Sequence, residues 1–360
     1  LAVDIADRNY NWTVLSGPAG HMGTDNKIKV ALDGDEDLTT GTAGASSTFA
    51  VKSQIKLTYP NETGIIKQIG NLMTITWNAI PDDLGGSGKV NIRYSVNGAA
   101  GPYDGTIAND VDSNLQTKDW TIQDVPGMVA QTVRVKVFKN DDEANVHAES
   151  DYNFVIKGTI TLTGEAKNGG VTWEAGQTKK ISWSKVGDLG TVRILYSTVD
   201  PADYTETVQT GISSGDLEYN WPIPNDIAIE RNTLIKFKIA SESDGSINDV
   251  STSALTMQSR LVLQQPVGNE TLEVGQPGGY NIIWKTYGSV SQVKLAYDTD
   301  SGNNTYDKAI AGGAAIANNV TGGNNNTYNW TVPNAIGNKL RVKVMSYNYQ
   351  NNIISTSTAD

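Results

Sequence analysis

The chain has 360 residues, a formal net charge of -11 and no cysteine. Such a length exceeds what one hydrophobic core usually serves, so two to four domains are expected. The missing cysteines exclude disulfides, thiolate zinc sites and thiol nucleophiles. The acidic balance, with no cluster of Lys and Arg, argues against nucleic acid and anionic lipid as partners, and every apolar stretch is shorter than the roughly 20 residues of a membrane-spanning helix.

Residues Leu1 to Trp12 lack the charged and apolar regions of a signal peptide, so the chain reads as an internal piece with any export signal upstream. From Tyr10 onward an internal repeat organises everything. Tyr10-Asn11-Trp12-Thr13-Val14 returns as Asp119-Trp120-Thr121-Ile122, Tyr219-Asn220-Trp221-Pro222-Ile223 and Tyr328-Asn329-Trp330-Thr331-Val332, with Trp spacings of 108, 101 and 109. After each comes an alternating strand: Lys27-Ile28-Lys29-Val30, Arg134-Val135-Lys136-Val137, Lys236-Phe237-Lys238-Ile239 and Arg341-Val342-Lys343-Val344. Charged and apolar side chains of such a strand face opposite sides. Earlier in each full unit a strand carries a second Trp, at Trp77, Trp183 and Trp284, followed by Val90 to Tyr94, Val192 to Tyr196 and Val293 to Tyr297.

These strands divide the chain into the C-terminal half of an Ig-like domain at 1–52 and three whole units at 53–157, 158–259 and 260–360. Each whole unit holds about seven short strands between Gly, Asn, Asp and Pro turns, which predicts an all-β chain of tandem immunoglobulin-like β-sandwich domains in an extended rod. The half unit is expected to pack poorly or against a neighbour. Neither Tyr152 to Thr161 nor Leu255 to Val262 contains a Gly/Ser-rich or Pro-rich linker, so stiff joints are expected.

The order of a Gly-containing turn, an Ile-x-Trp strand, a Val-x-Ile-x-Tyr strand, a Tyr-x-Trp-x-Val-Pro segment and an Arg-Val-Lys-Val strand resembles one group over nearly the whole chain. It is similar to the Ig-like repeats of bacterial and archaeal surface proteins, including surface-layer (S-layer) proteins, and to the related wall-synthesis domain of fungal Ser/Thr-rich anchored proteins. Asn168 to Gly176 matches the opening turn of that group best, Gly268 to Gly275 next, and Asn61 to Gly70 departs from it. The resemblance implies an exterior location and a scaffold or adhesive role, and it supplies no catalytic residues.

Candidate sites are few. Asp33, Asp35 and Asp37 have the alternate spacing that lets carboxylates converge on Ca2+, although Leu38 and Gly44 stand where an EF-hand loop would continue; a solvated hairpin tip is the competing reading. The acidic runs at Asp141 and Glu242 are of the same kind. Glycosylation sequons occur at Asn61, Asn269, Asn303, Asn319 and Asn325, and at Asn11 and Asn329 inside the repeated strand motif, a number that this Asn-, Ser- and Thr-rich composition yields by chance. Seven of the eight Trp hold repeated positions that read as core, which leaves Trp173 as the one to test for exposure, with an edge of the core as the favoured reading even there. With only His21 and His147, in different units, no nucleophile triad, zincin motif or phosphate loop can be assembled, and a non-enzyme is expected. The segment Ser301 to Asn326 reads as a tolerated surface loop that buries nothing, with a contact loop between subunits as the alternative.

The expected role is therefore a structural S-layer, lattice or stalk component outside the cell. It would self-associate, or bind other cell-envelope proteins, by pairing of exposed strand edges. An adhesin or carbohydrate-binding array that takes glycans is the alternative.

Overall fold

A computed structural model describes residues 10–12, 23–30, 44–299, 305–335 and 339–357. The chain divides into two compact units, Leu1–Thr159 with Val186–Asp188, and Ile160–Lys185 with Leu189–Asp360.

In the first unit the strand Leu72–Ile80 alternates strictly: Met73, Ile75, Trp77 and Ala79 are buried, while Leu72, Thr74, Asn78 and Ile80 are exposed. Period-two burial is what a strand with one face on a core requires. It lies between Gln54–Tyr59 and Thr117–Thr121 in a three-stranded antiparallel sheet. The facing sheet runs in the order Ile66–Gln68, Phe154–Lys157, Ala130–Lys139, Lys89–Ser95 and Gly105–Asp112, with His147–Glu149 on the far end of Ala130–Lys139. Ile66–Gln68 pairs in parallel with Phe154–Lys157, so the chain begins in one sheet and crosses to the edge of the other. Between the sheets lies one core that includes Leu57, Ile75, Trp77, Val90, Trp120, Val135 and Phe154.

The strands Gly23–Asn26 and Lys29–Val30, paired with Phe49–Val51 and Gly44–Ala45, repeat the back of such a sandwich. Here the inward positions are open. Ile28 and Val30 are 44% and 71% exposed, whereas Val135 and Val137 at the matching places are fully buried. Trp12 is 48% exposed, against 6% for Trp120.

The second unit holds two sandwiches. In the first, Thr159–Thr163, Thr178–Val186 and Glu218–Pro222 face a sheet of Thr172–Glu174, Leu255–Gln258, Arg231–Ser241, Thr191–Ser197 and Glu206–Ser213. In the second, Arg260–Gln265, Tyr280–Tyr287 and Asn325–Trp330 face Lys308–Ala309, Gln292–Asp298, Arg341–Ser346 and Ile354–Thr356. One helical turn, Gly164–Asn168, stands before Thr172–Glu174 where only a turn was expected. Trp173 lies under it, fully buried, with its indole N–H donating to Glu165 Oε2 at 2.7 Å and its ring 5.2 Å from that of Phe237. Trp173 is thus a full core residue and not only an edge of the core, because Glu165 supplies the acceptor its N–H needs.

Two polar devices recur. The Trp of each central strand donates its buried N–H to the turn before the third strand of its sheet: Trp77 to Ser113 O at 3.2 Å, Trp183 to Ser214 O at 3.0 Å and Trp284 to Asn318 Oδ1 at 2.9 Å. The second device patches a break in the last strand, where a serine hydroxyl accepts a main-chain N–H of the facing strand: Ser150 from Val135 at 2.9 Å, Ser251 from Phe237 at 2.7 Å and Ser357 from Val342 at 3.2 Å. Ser46 does the same for Ile28 at 3.0 Å, so the device extends into the first segment.

The segment Ser301 to Asn326 corrects the expectation placed on it. Ile310 is 2% exposed and belongs to the core, and Asn318 and Asn326 are both 6% exposed. Asn318 accepts from Trp284 and from Thr286 Oγ1 at 3.0 Å and donates to Val290 O, so the insertion closes the core instead of decorating it. Replacing Asn318 by Ala leaves three buried polar groups without this partner and is expected to destabilise the last sandwich by about 1–3 kcal/mol. A lower denaturation midpoint with an unchanged m-value is the expected reading, and a midpoint equal to wild type would remove this role.

Candidate interaction surfaces

The last two sandwiches are locked to each other. Ser259, between the strands Leu255–Gln258 and Arg260–Gln265, is fully buried; its N–H donates to Glu230 O at 2.7 Å, its hydroxyl to Ile229 O at 2.8 Å, and it accepts from Ser289 N at 2.8 Å. Gly288, at φ +86, has to be glycine, since a Cβ there would stand 2.2 Å from Ser259 Oγ. On the other side Glu230 accepts from Ser346 Oγ at 2.6 Å and Asn348 Nδ2 at 2.9 Å, and the Arg231 guanidinium lies 5.8 Å from the Tyr349 ring centre. Charge-assisted hydrogen bonds of this length are among the stronger kind. Glu230→Ala is expected to loosen the joint, seen as distinct rotational correlation times for the two sandwiches by NMR relaxation; one shared time in the variant would show the other bonds suffice.

The outer face of each larger sheet carries a lysine over a tyrosine ring. Lys136 lies 5.7 Å from the Tyr103 ring centre, Lys238 5.9 Å from Tyr204, and Lys343 5.4 Å from Tyr306. The lysines occupy one register position, opposite Arg93, Leu195 and Ala296. Their tyrosines come from the loop after the Val-x-Ile-x-Tyr strand. All three rings are half-buried with an ammonium over them, unlike the open platform on which a sugar stacks.

Around Tyr103 the device is extended: its hydroxyl donates to Glu149 Oε2 at 2.9 Å, and Lys136 pairs with Glu143 at 3.1 Å and Glu149 at 3.6 Å. Burial first, then the Glu149 hydrogen bond and charge, push the Tyr103 phenol far above its ordinary value, against a smaller opposing effect of Arg134. A folded-state pKa raised above the unfolded one stabilises the fold below the unfolded value near 10, and that contribution is lost as pH rises further. Absorbance titration of the tyrosinates is expected to show Tyr103 ionising only as its sandwich unfolds, and Glu149→Gln to bring it down; ionisation of Tyr103 with the exposed tyrosines would contradict this.

The edge strands Gly105–Asp112 and Glu206–Ser213 are bulged against their partners. Asp110 and Gly211, at matching places, both have positive φ, at 53° and 67°. Glu242 accepts from the Gly211 N–H at 3.1 Å and from Thr191 Oγ1 at 2.5 Å, which lowers its pKa, the Thr191 bond contributing most. Bulges of this kind twist an edge away from flat pairing.

The candidate calcium ligands Asp33, Asp35 and Asp37 lie outside the described residues, as do His21 and Asn303. Among the described residues no three His, Asp or Glu side chains gather in a metal-holding arrangement. In the second acidic run, Asp141 pairs with Lys139 at 3.3 Å and Asp142 accepts from Asn145 at 2.7 Å. The sequons separate by environment. Asn61 is tied at both amide atoms to Asp151, at 2.8 and 2.6 Å, and Asn329 donates to Gly278 O at 2.7 Å. Asn269, Asn319 and Asn325 are exposed. Among the described residues no helix is long and apolar enough to cross a membrane.

No family model matches the chain, and no curated protein does. Among solved structures it is similar to fibronectin(III)-like modules of Clostridium thermocellum CbhA, at 15% identity over 57% of this chain and 93% of that one, with a TM-score of 0.18. Three N-terminal domains of the bacteriophage RB49 outer capsid protein Hoc match at 10% identity over 81% and 91%, with a TM-score of 0.23. The insect immune protein hemolin matches at 12% over 88% and 79%, with a TM-score of 0.25. Superpositions this loose bear no weight, and the tandem sandwich fold rests on the strand order described above.

Proposed function

We propose that this chain is a structural, non-enzymatic component of a cell exterior, an S-layer or comparable lattice or stalk built from Ig-like repeats. The observation that supports this reading is the joint at Ser259 and Glu230. It fixes one sandwich against the next through a fully buried serine and several hydrogen bonds, which a tether between independent modules does not need. The recurring serines and indole contacts point the same way, since the polar groups buried in every repeat serve closure of the fold. The resemblance to prokaryotic surface repeats, carried by Asn168 to Gly176 and its counterparts, adds the exterior location.

Self-association would use the regular outer strands of the three-stranded sheets, such as Thr117–Thr121 and Asn325–Trp330, because the bulged strands on the other sheet resist flat pairing. Among the described sequons, an N-linked sugar fits Asn269, Asn319 or Asn325, which are exposed, better than Asn61, which is tied to Asp151. Purified chain, concentrated and viewed by negative-stain electron microscopy, is expected to form ordered arrays or filaments. Separate particles at every concentration and ionic strength would overturn self-assembly as its role.

A further inference from the structure

The outer sheet face of the fourth repeat differs from the same face of the other two. At the position opposite the conserved-register lysine, the second repeat has Arg93 and the third Leu195, and the fourth has Ala296. Arg93 lies over Phe138 in the second repeat, its guanidinium 5.8 Å from the ring centre, and fills that surface. With alanine there the sheet is left concave. A depression of about 300 Å3 opens over Ala296 and Met345, walled by Tyr306, Lys294, Lys343 and Asn351. That volume lies at the lower end of small-molecule sites.

Charge distinguishes it further. The cross-strand neighbour of Lys136 is Glu149, which pairs with it, whereas the neighbours of Lys238 and Lys343 are Val250 and Thr356. Lys343 therefore rests on the Tyr306 ring with no carboxylate among its described contacts, and Lys294 rests likewise on Tyr347 at 4.8 Å. A ring face attracts an ammonium but does not neutralise it. Of the described acids nearby, Asp307 lines the depression and stands 3.7 Å from Lys308, and Asp298, 2% exposed, accepts from Thr305 N at 2.9 Å and sits opposite Arg341 in register. With Lys294 and Lys343 against Asp307 in its lining, the hollow is net positive in a chain of net charge -11.

We propose that the fourth repeat binds a carboxylate-bearing sugar in this depression. The carboxylate would lie between Lys294 and Lys343, and the ring over Ala296 beside Tyr306 and Asn351, whose edge and amide suit hydroxyl groups. The site is independent of the scaffold role, and either can fail without the other.

The test is titration of the intact chain with glucuronate, glucose and acetate, followed by calorimetry and ligand-observed saturation-transfer NMR. Glucuronate is expected to saturate with a Kd on the order of 1–10 mM, as few contacts allow, and glucose and acetate to bind at least about tenfold more weakly. Exchanging both charges, Lys294→Gln with Lys343→Gln, is expected to weaken glucuronate about tenfold or more. Lys136→Gln in the second repeat should leave binding unchanged. Ala296→Leu, which copies the third repeat, should abolish it by filling the hollow while thermal unfolding stays cooperative. No saturable glucuronate binding, equal binding of glucose or acetate, or full binding by the double variant or by Ala296→Leu would each overturn the proposal.

Discussion

Each whole sandwich depends on an indole that is apolar enough to fill the space between two sheets and yet carries one N–H that has to be satisfied there. Trp77, Trp183 and Trp284 sit on the central strand of the smaller sheet, and each ring reaches across the core to the turn that leads into the neighbouring strand. Burying the ring supplies hydrophobic free energy, and the hydrogen bond fixes where that turn must lie. Once the turn is fixed, so are the start of the third strand and the register of the small sheet. The larger sheet then closes over the same ring, and every other device described here acts on a frame that the indole has already set.

The strands were legible in the sequence because their signal is local. Alternation in Arg134 to Val137 or Thr74 to Trp77 needs no knowledge of partners, and repetition at intervals near one hundred residues marked Trp120, Trp221 and Trp330 as core. Residues whose role depends on a neighbour from another strand were harder to read. Ser150, Ser251 and Ser357 are unremarkable among many serines until the register places each against a main-chain N–H. Tyr103, Tyr204 and Tyr306 recur at nearly constant spacing, a signal present in the sequence, but their flanking residues differ and the lysines beneath them are some thirty residues away.

Two departures from the repeat pattern have one cause. Trp173 lacked an equivalent in the other units and read at most as an edge of the core, and the insertion before Asn326 is dominated by Gly, Ala and Asn, so both looked peripheral. Burial in this fold tolerates such exceptions when a polar partner is at hand. Glu165 accepts from one, and Asn318 takes in the third repeat unit's successor the place that a backbone carbonyl holds elsewhere. The composition of a segment therefore says little about its depth when Ile310, Ile316 and two asparagines anchor it.

The crossing of the first strand from one sheet to the other has a mechanical side. In the first whole sandwich Ile66–Gln68 runs parallel to Phe154–Lys157, and in the next Thr172–Glu174 runs parallel to Leu255–Gln258. Tension applied to the two ends of such a module loads those bonds side by side, in shear, so they must break together. The last sandwich has no such parallel pair among its described residues and holds its opening strand to its closing one by Leu263 N on Ser355 Oγ at 2.9 Å. Stretched end to end, the two modules with a parallel pair resist through bonds loaded together and not one after another.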